Sequence, residues 1–315
     1  MKHLILIIIL SPLVTVHGSP YNAHRYRPAP WWGESRFTCP WLSSIALQGL
    51  HGSAENIRGP EGNRIPLAGS LTVSEWVVDG TQNIGKNFFI RGLLDGQKIT
   101  FIEPNIEQTA ETITEGKLTN RVIMGGWNFT YQKTTEFDFI DGTIDMGYQS
   151  PSFHGAAPVT DLLRYDAGDQ FFLEFLLSIG ALEWITAGFH LGGAHYFCTP
   201  IPKRGLIETG LYIKFDHVIK GISFIISYTF DKQFPHRYTP STVSDIASTL
   251  VPIDLLKRGW TMHTIDLWWE WDPITTATEW CPRLSIVWRK AVRGHNIFCT
   301  HLAGGSVVLD VRWDL

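Results

Sequence analysis

Ten charged residues sit at alternate positions within otherwise apolar segments: Glu174, Glu208, Lys214, Asp216, Asp266, Glu270, Arg283, Arg289, Asp310 and Arg312. Six acids and four bases in such a pattern could line a wet interior that attracts, pairs with or passes ions. Two readings stay open: a polar channel with mild cation preference, and a set of salt-bridged charges that conducts little. Tyr212 and Trp268 share the charged face, where they fill space or stack against a sugar ring. No GxSxG, HExxH, P-loop or paired-carboxylate motif stands in a convincing context. Ser227 and His263 fall on neighbouring segments but on opposite faces, so they make no nucleophile–base pair. The four cysteines (Cys39, Cys198, Cys281 and Cys299) show no metal-ligand spacing. The expectation is therefore no enzyme, no metal and no cofactor. The sequon Asn128-Phe129-Thr130 falls inside a predicted strand and is treated as chance.

The elements that carry these residues alternate apolar and polar. Ile207, Thr209, Leu211, Ile213 and Phe215 share one face, with Glu208, Gly210, Tyr212, Lys214 and Asp216 opposite. Ile222, Phe224, Ile226, Tyr228 and Phe230 repeat the pattern, and so do Val307, Leu309, Val311, Trp313 and Leu315. Period two is the strand signature, because successive Cβ atoms point to opposite sides. Strands are predicted at 41–52, 65–78, 86–95, 121–132, 135–148, 169–180, 183–195, 205–217, 221–232, 258–271, 280–291 and 302–315. From the fourth onward the connections run short and long in turn, the longer ones at 149–168, 196–204, 232–257 and 292–301. That sorting is the plan of an outer-membrane barrel. A bilayer offers no water to an open sheet edge, so a spanning sheet must close. An antiparallel up-and-down β-barrel of about twelve strands, within a range of ten to fourteen, is expected.

Composition agrees. Charged residues are 18% of the 315-residue chain and the net charge is -4, with no basic block to engage nucleic acid. Lys2 and His3 precede an apolar run from Leu4 to Leu10, and Val16 and Gly18 suit a cleavage site. Residues 1–18 therefore read as a secretory signal peptide, 19–40 as an N-terminal periplasmic segment, and 41–315 as the barrel with long extracellular loops. Trp260, Trp269, Trp271, Trp280, Trp288 and Trp313 cluster near strand ends and are expected at the lipid interface. Cys198 and Cys299 fall near the long-loop end, and Cys39 and Cys281 near the other. A bridge within a pair needs Cα atoms within about 7 Å; four separate thiols are the alternative.

The C-terminal half carries a recognisable series. It runs Lys214-Phe215-Asp216-His217, Lys220-Gly221-Ile222-Ser223-Phe224, Gly259-Trp260-Thr261-Met262-His263-Thr264-Ile265, Cys281-Pro282-Arg283-Leu284, and Gly304-Gly305-Ser306-Val307 to Trp313-Asp314-Leu315. This resembles the uncharacterised outer-membrane β-barrel proteins of Dependentiae-type intracellular bacteria, over roughly residues 115–315 with a weaker likeness at 42–52. The resemblance implies an outer-membrane barrel and no assigned activity. Many bacterial barrels end in Phe or Trp; here Leu315 is terminal and Trp313 lies two residues before it. The expected partners are outer-membrane lipid and, during biogenesis, the barrel-assembly machinery, with the oligomeric state open. The leading expectation is a passive pore for small polar solutes. The alternatives are a surface or structural barrel whose loops bind a partner, and a secreted soluble β-sandwich.

Overall fold

The computed structural model describes residues 42–312, except 60, 86, 104–111, 133–138, 156–168, 183, 199–202, 220, 236–258, 272–279 and 296. The signal peptide and the periplasmic segment lie outside the described residues.

Twelve strands run in chain order: β1 (Leu42–Arg58), β2 (Arg64–Ile84), β3 (Phe88–Glu103), β4 (Thr112–Gln132), β5 (Phe139–Gly155), β6 (Asp169–Leu182), β7 (Ile185–Cys198), β8 (Lys203–Ile219), β9 (Ile222–Pro235), β10 (Trp260–Trp271), β11 (Trp280–His295) and β12 (Ile297–Arg312). Each pairs antiparallel with its sequence neighbours, and β1 pairs with β12 to close the barrel. The expected up-and-down, twelve-strand barrel is the fold observed, and a two-sheet sandwich is not.

The strands are longer than the local pattern predicts. β4 begins at Thr112 rather than 121, and β12 at Ile297 rather than 302. The long loop expected across 292–301 does not exist: only residue 296 separates β11 from β12. Ile297 and Phe298 are held by Arg58 and Ile57 of β1, a pairing distant in sequence that no local period reveals. Likewise residues 196–198 and 203–204 join strands, which leaves 199–202 as the connection between β7 and β8. The two longest connections, 156–168 and 236–259, lie at the end opposite the start of β1, together with 59–63, 104–111, 199–202 and 296. The termini-side connections are 85–87, 133–138, 183–184, 220–221 and 272–279.

Parity along each strand separates two surfaces. One parity is buried inside the barrel and the other is exposed; β10 shows it most regularly. The exposed parity carries Leu47, Ile90, Leu94, Ile123, Ile144, Met146, Leu173, Leu191, Leu211, Ile213, Ile226, Ile286 and Val307. Toward the termini this apolar belt ends in Phe88, Trp127, Trp184 and Trp271. Toward the loops it ends in Trp76, Tyr148, Phe171, Tyr228 and Trp288. An apolar band between two aromatic girdles is the outer face of a membrane barrel. β2 and β4 have 21 residues each, about twice the 9–11 needed to cross the hydrocarbon. Their surplus lies on the loop side, where the outward residues turn hydrophilic: Ser53, Ser70, Thr72, Lys98, Thr100, Lys117, Ser152 and His154.

Close approach fixes several positions in the wall. Five aromatic rings lie over the glycine directly opposite: Trp76 on Gly96, Phe89 on Gly126, Phe129 on Gly142, Phe172 on Gly147 and Tyr212 on Gly188. The closing seam is also glycine-lined. A Cβ at Gly304 would overlap the Gly49 carbonyl oxygen, and one at Gly52 the His301 carbonyl oxygen. Gly304→Val is therefore expected to weaken closure of β1 on β12 by about 1–3 kcal/mol, as overpacking does elsewhere. The measurement is the urea midpoint at which the compact, fast-migrating gel band is lost. An unchanged midpoint would mean that the seam tolerates a side chain.

Cys299 is buried and its thiol is free, so it forms no bridge with Cys198. The two lie on β12 and β7, five strands apart around the wall.

Candidate functional site

The chemistry-bearing side chains converge inside the barrel because strand parity puts them there. Glu174, Glu208, Lys214, Asp266, Glu270, Arg283 and Arg289 are buried on the inward parity, and Asp216 is half-buried beside Lys214. Asp310 and Arg312 lie on β12, but their side chains are outside the described set. Tyr212 and Trp268 also point inward, and the Tyr212 hydroxyl is 2.5 Å from Ser178 Oγ.

Ion pairs span the interior. Arg289 donates from Nε to Asp266 Oδ1 at 3.0 Å and from Nη1 to Glu75 Oε2 at 2.9 Å. Asp266 is its neighbour on β10, whereas Glu75 is on β2, with β12 and β1 between. A contact that skips two strands cuts across one side of the bore. Lys214 on β8 reaches Asp216 Oδ1 at 3.0 Å and Glu270 Oε1 on β10 at 3.3 Å. His190 Nδ1 lies 3.1 Å from Glu208 Oε1. Arg91 clasps Asp79 through Nε, 3.0 Å from each carboxylate oxygen, and its Nη1 lies 3.5 Å from Met124 Sδ. Asn120 donates to Asp95 Oδ1 at 2.8 Å.

The interior has two zones. Toward the termini it is polar: Asp79, Arg91, Asn128, Asp141, Thr143, Asp145, Thr186, Lys214, Ser223, Glu270, Arg283 and Ser285. Toward the loops it is apolar on the side of β1 to β4 and β10 to β12, with Ala54, Ile57, Leu71, Val73, Ile99, Phe101, Leu118, Trp260, Met262 and Ile297 in one cluster, whereas Gln149, Gln170, Asp231 and Gln233 are buried on the side of β5, β6 and β9. Trp260, expected at the lipid interface, belongs to that cluster and is only 3% exposed. The reason is parity, because it aligns with Met262, Asp266 and Glu270 rather than with Trp269 and Trp271. Trp269 and Trp271 face outward, as does the half-buried Trp288, whose ring packs edge-on against His301. The side chains of Trp280 and Trp313 lie outside the described set.

Sequence reasoning missed Glu75, Asp79, Arg91, Asp95, Asp141, Asp145 and Asp231, all buried inward. In β2 and β3 the inward face mixes these charges with Leu71, Val73, Val77, Leu93 and Ile99, so hydrophobic alternation vanishes. The usable signal was charge at matching parity: Glu75 with Asp79, and Arg91 with Asp95. It also missed an outward hydroxyl–imidazole contact, His51 Nδ1 to Ser74 Oγ at 2.6 Å, on the loop side of the belt. Among the described residues no carboxylate orients His51, and the contact lacks the third group of a hydrolytic triad. Ser227 is buried and His263 faces outward, as expected.

No protein-family model matches the sequence, and no curated protein does. Solved structures do match. An outer membrane channel from Pseudomonas putida F1 aligns over 90% of this chain and 98% of its own, with TM-score 0.56 and 8% identity. The transport unit of the autotransporter AIDA-I from Escherichia coli aligns over 90% of this chain and 94% of its own, with TM-score 0.50 and 10% identity. At such identities the likeness shows the fold, that of outer-membrane barrels.

Proposed function

We propose that the protein resides in a bacterial outer membrane, exported by a cleaved N-terminal signal peptide and inserted by the barrel-assembly machinery. There it provides a passive route for small polar solutes, with a preference for cations. The observation that carries this reading is the interior charge. Among the described residues, ten Asp and Glu side chains are buried inside the barrel against four Lys and Arg: Arg91, Lys214, Arg283 and Arg289. An acidic surplus in a narrow, low-dielectric bore concentrates cations and repels anions. Side chains that reach into the bore and pair there, as Arg289 and Glu75 do, restrict passage to small species. The shared fold with an outer membrane channel supports the same reading.

The test is conductance in planar bilayers under a potassium chloride gradient. A reversal potential of the sign for cation selectivity is expected, falling toward zero in the Asp145→Asn/Glu174→Gln variant. Anion selectivity would overturn the proposal. Silence at all potentials would favour a second reading, a surface or structural barrel whose loops bind a partner. That reading draws on one observation: one side of the loop-side interior is packed with apolar side chains, and Val73, Ile99 and Ile297 are wholly buried there.

A further inference from the structure

Among the described residues, the outward face is uncharged from the termini-side girdle to the loop-side edge of the belt. Beyond that edge come basic side chains on several strands, among them Arg64, Lys98, Lys117, Arg121, Lys232, Lys290 and Arg293. Three of them lie along the β3–β4 boundary. Lys98 and Lys117 are directly opposite in the β3–β4 ladder, and Lys117 is directly opposite His154 of β5. Arg121 lies two outward positions nearer the belt than Lys117, between Thr119 and Ile123. Like charges directly opposite in a ladder are destabilising unless something of opposite sign lies between them. Lys98 is paired with Glu115, which also accepts from Thr100 Oγ1 at 3.5 Å. Lys117 and Arg121 make no ion pair among the described residues, and both are exposed. The patch therefore keeps a surplus of positive charge, with an imidazole donor beside it, at the height where lipid headgroups begin.

We propose that Lys117 and Arg121, with Lys98 and His154 beside them, form a binding site for the phosphate of a lipid headgroup. Its occupant is a phosphorylated lipid of the leaflet on the loop side, whose acyl chains lie along Ile123, Ile144 and Met146 of the belt. A guanidinium and an ammonium suit phosphate oxygens, which accept charge-assisted hydrogen bonds from both. The apolar wall directly below supplies what a free anion would not use. The inference rests on the membrane placement proposed above.

Native mass spectrometry of the delipidated full chain in neutral detergent tests it, with diphosphorylated lipid A as the probe. A retained adduct is expected for the wild type, weakened by about tenfold or more in Lys117→Gln/Arg121→Gln. Glu115→Gln should bind at least as tightly as the wild type, and Lys232→Gln, on the far side of the wall, should bind unchanged. All variants are checked for the compact gel band, so that misfolding is separated from lost binding. Equal adducts in the wild type and the double variant would overturn the site. Equal retention of a neutral glycolipid with the same acyl chains would show that phosphate is not recognised. Displacement by millimolar inorganic phosphate would mark a free-anion site and overturn the lipid assignment. A chain that is monodisperse without detergent would instead overturn the membrane placement itself.

Discussion

Replacing Arg289 with methionine is expected to destabilise the barrel by about 3–5 kcal/mol, the penalty for stranding buried charges by removing their partner. The guanidinium is 2% exposed and serves Asp266 and Glu75 together. Methionine fills similar volume, so the loss is electrostatic rather than a cavity. The triple variant Arg289→Met/Asp266→Asn/Glu75→Gln removes both stranded charges and should recover most of the stability. The urea midpoint of the compact, fast-migrating gel band in detergent reports both. A loss in Arg289→Met below about 1 kcal/mol, the range of exposed pairs, would mean that water reaches these carboxylates. The packed appearance of the bore at this level would then be wrong.

A second large effect belongs to the outer wall. Ile286 is 67% exposed, flanked by Trp269 of β10 and Gly305 of β12, and lies between the two aromatic girdles. Ile286→Arg should cost about 2–4 kcal/mol in a bilayer, whereas Ser53→Arg, beyond the loop-side edge, should cost about 0–1 kcal/mol. The comparison is made by reversible unfolding from lipid vesicles. Equal, small costs at the two positions would remove the lipid from the exposed face altogether.

What was legible in the sequence follows from what each strand must satisfy. In β8 to β10 the inward face is mostly polar and the outward face apolar, so period two shows plainly and the sidedness of Lys214, Asp266 and Glu270 could be assigned. Around β2 and β3 both faces carry apolar residues, since the loop-side interior is itself a small hydrophobic core. Alternation there is invisible, and the charges Glu75, Asp79, Arg91 and Asp95 went unassigned. Trp260 shows the same limit from another side. A tryptophan near a strand end fits a girdle or a core equally well, and only its parity with Met262 and Glu270 decides. The extent of β12 depended on partners in β1, more than two hundred residues away in the chain.

The aromatic rings seated on glycines bear on how such a wall finds its alignment. A strand slipped by two residues keeps its inward and outward faces, so hydrophobicity alone punishes the error weakly. Here the same slip would drive Trp76 onto Leu94 or Lys98, Phe129 onto Ile140 or Ile144, Tyr212 onto Thr186 or His190, and Phe89 onto Met124 or Asn128. Each pair works as a key that fits one notch. Five such keys, spread from the β2–β3 boundary to the β7–β8 boundary, turn a sliding contact into a ratchet with discrete stops. Misaligned neighbours are thereby rejected by volume, a criterion that holds equally in water, in lipid and at the boundary between them.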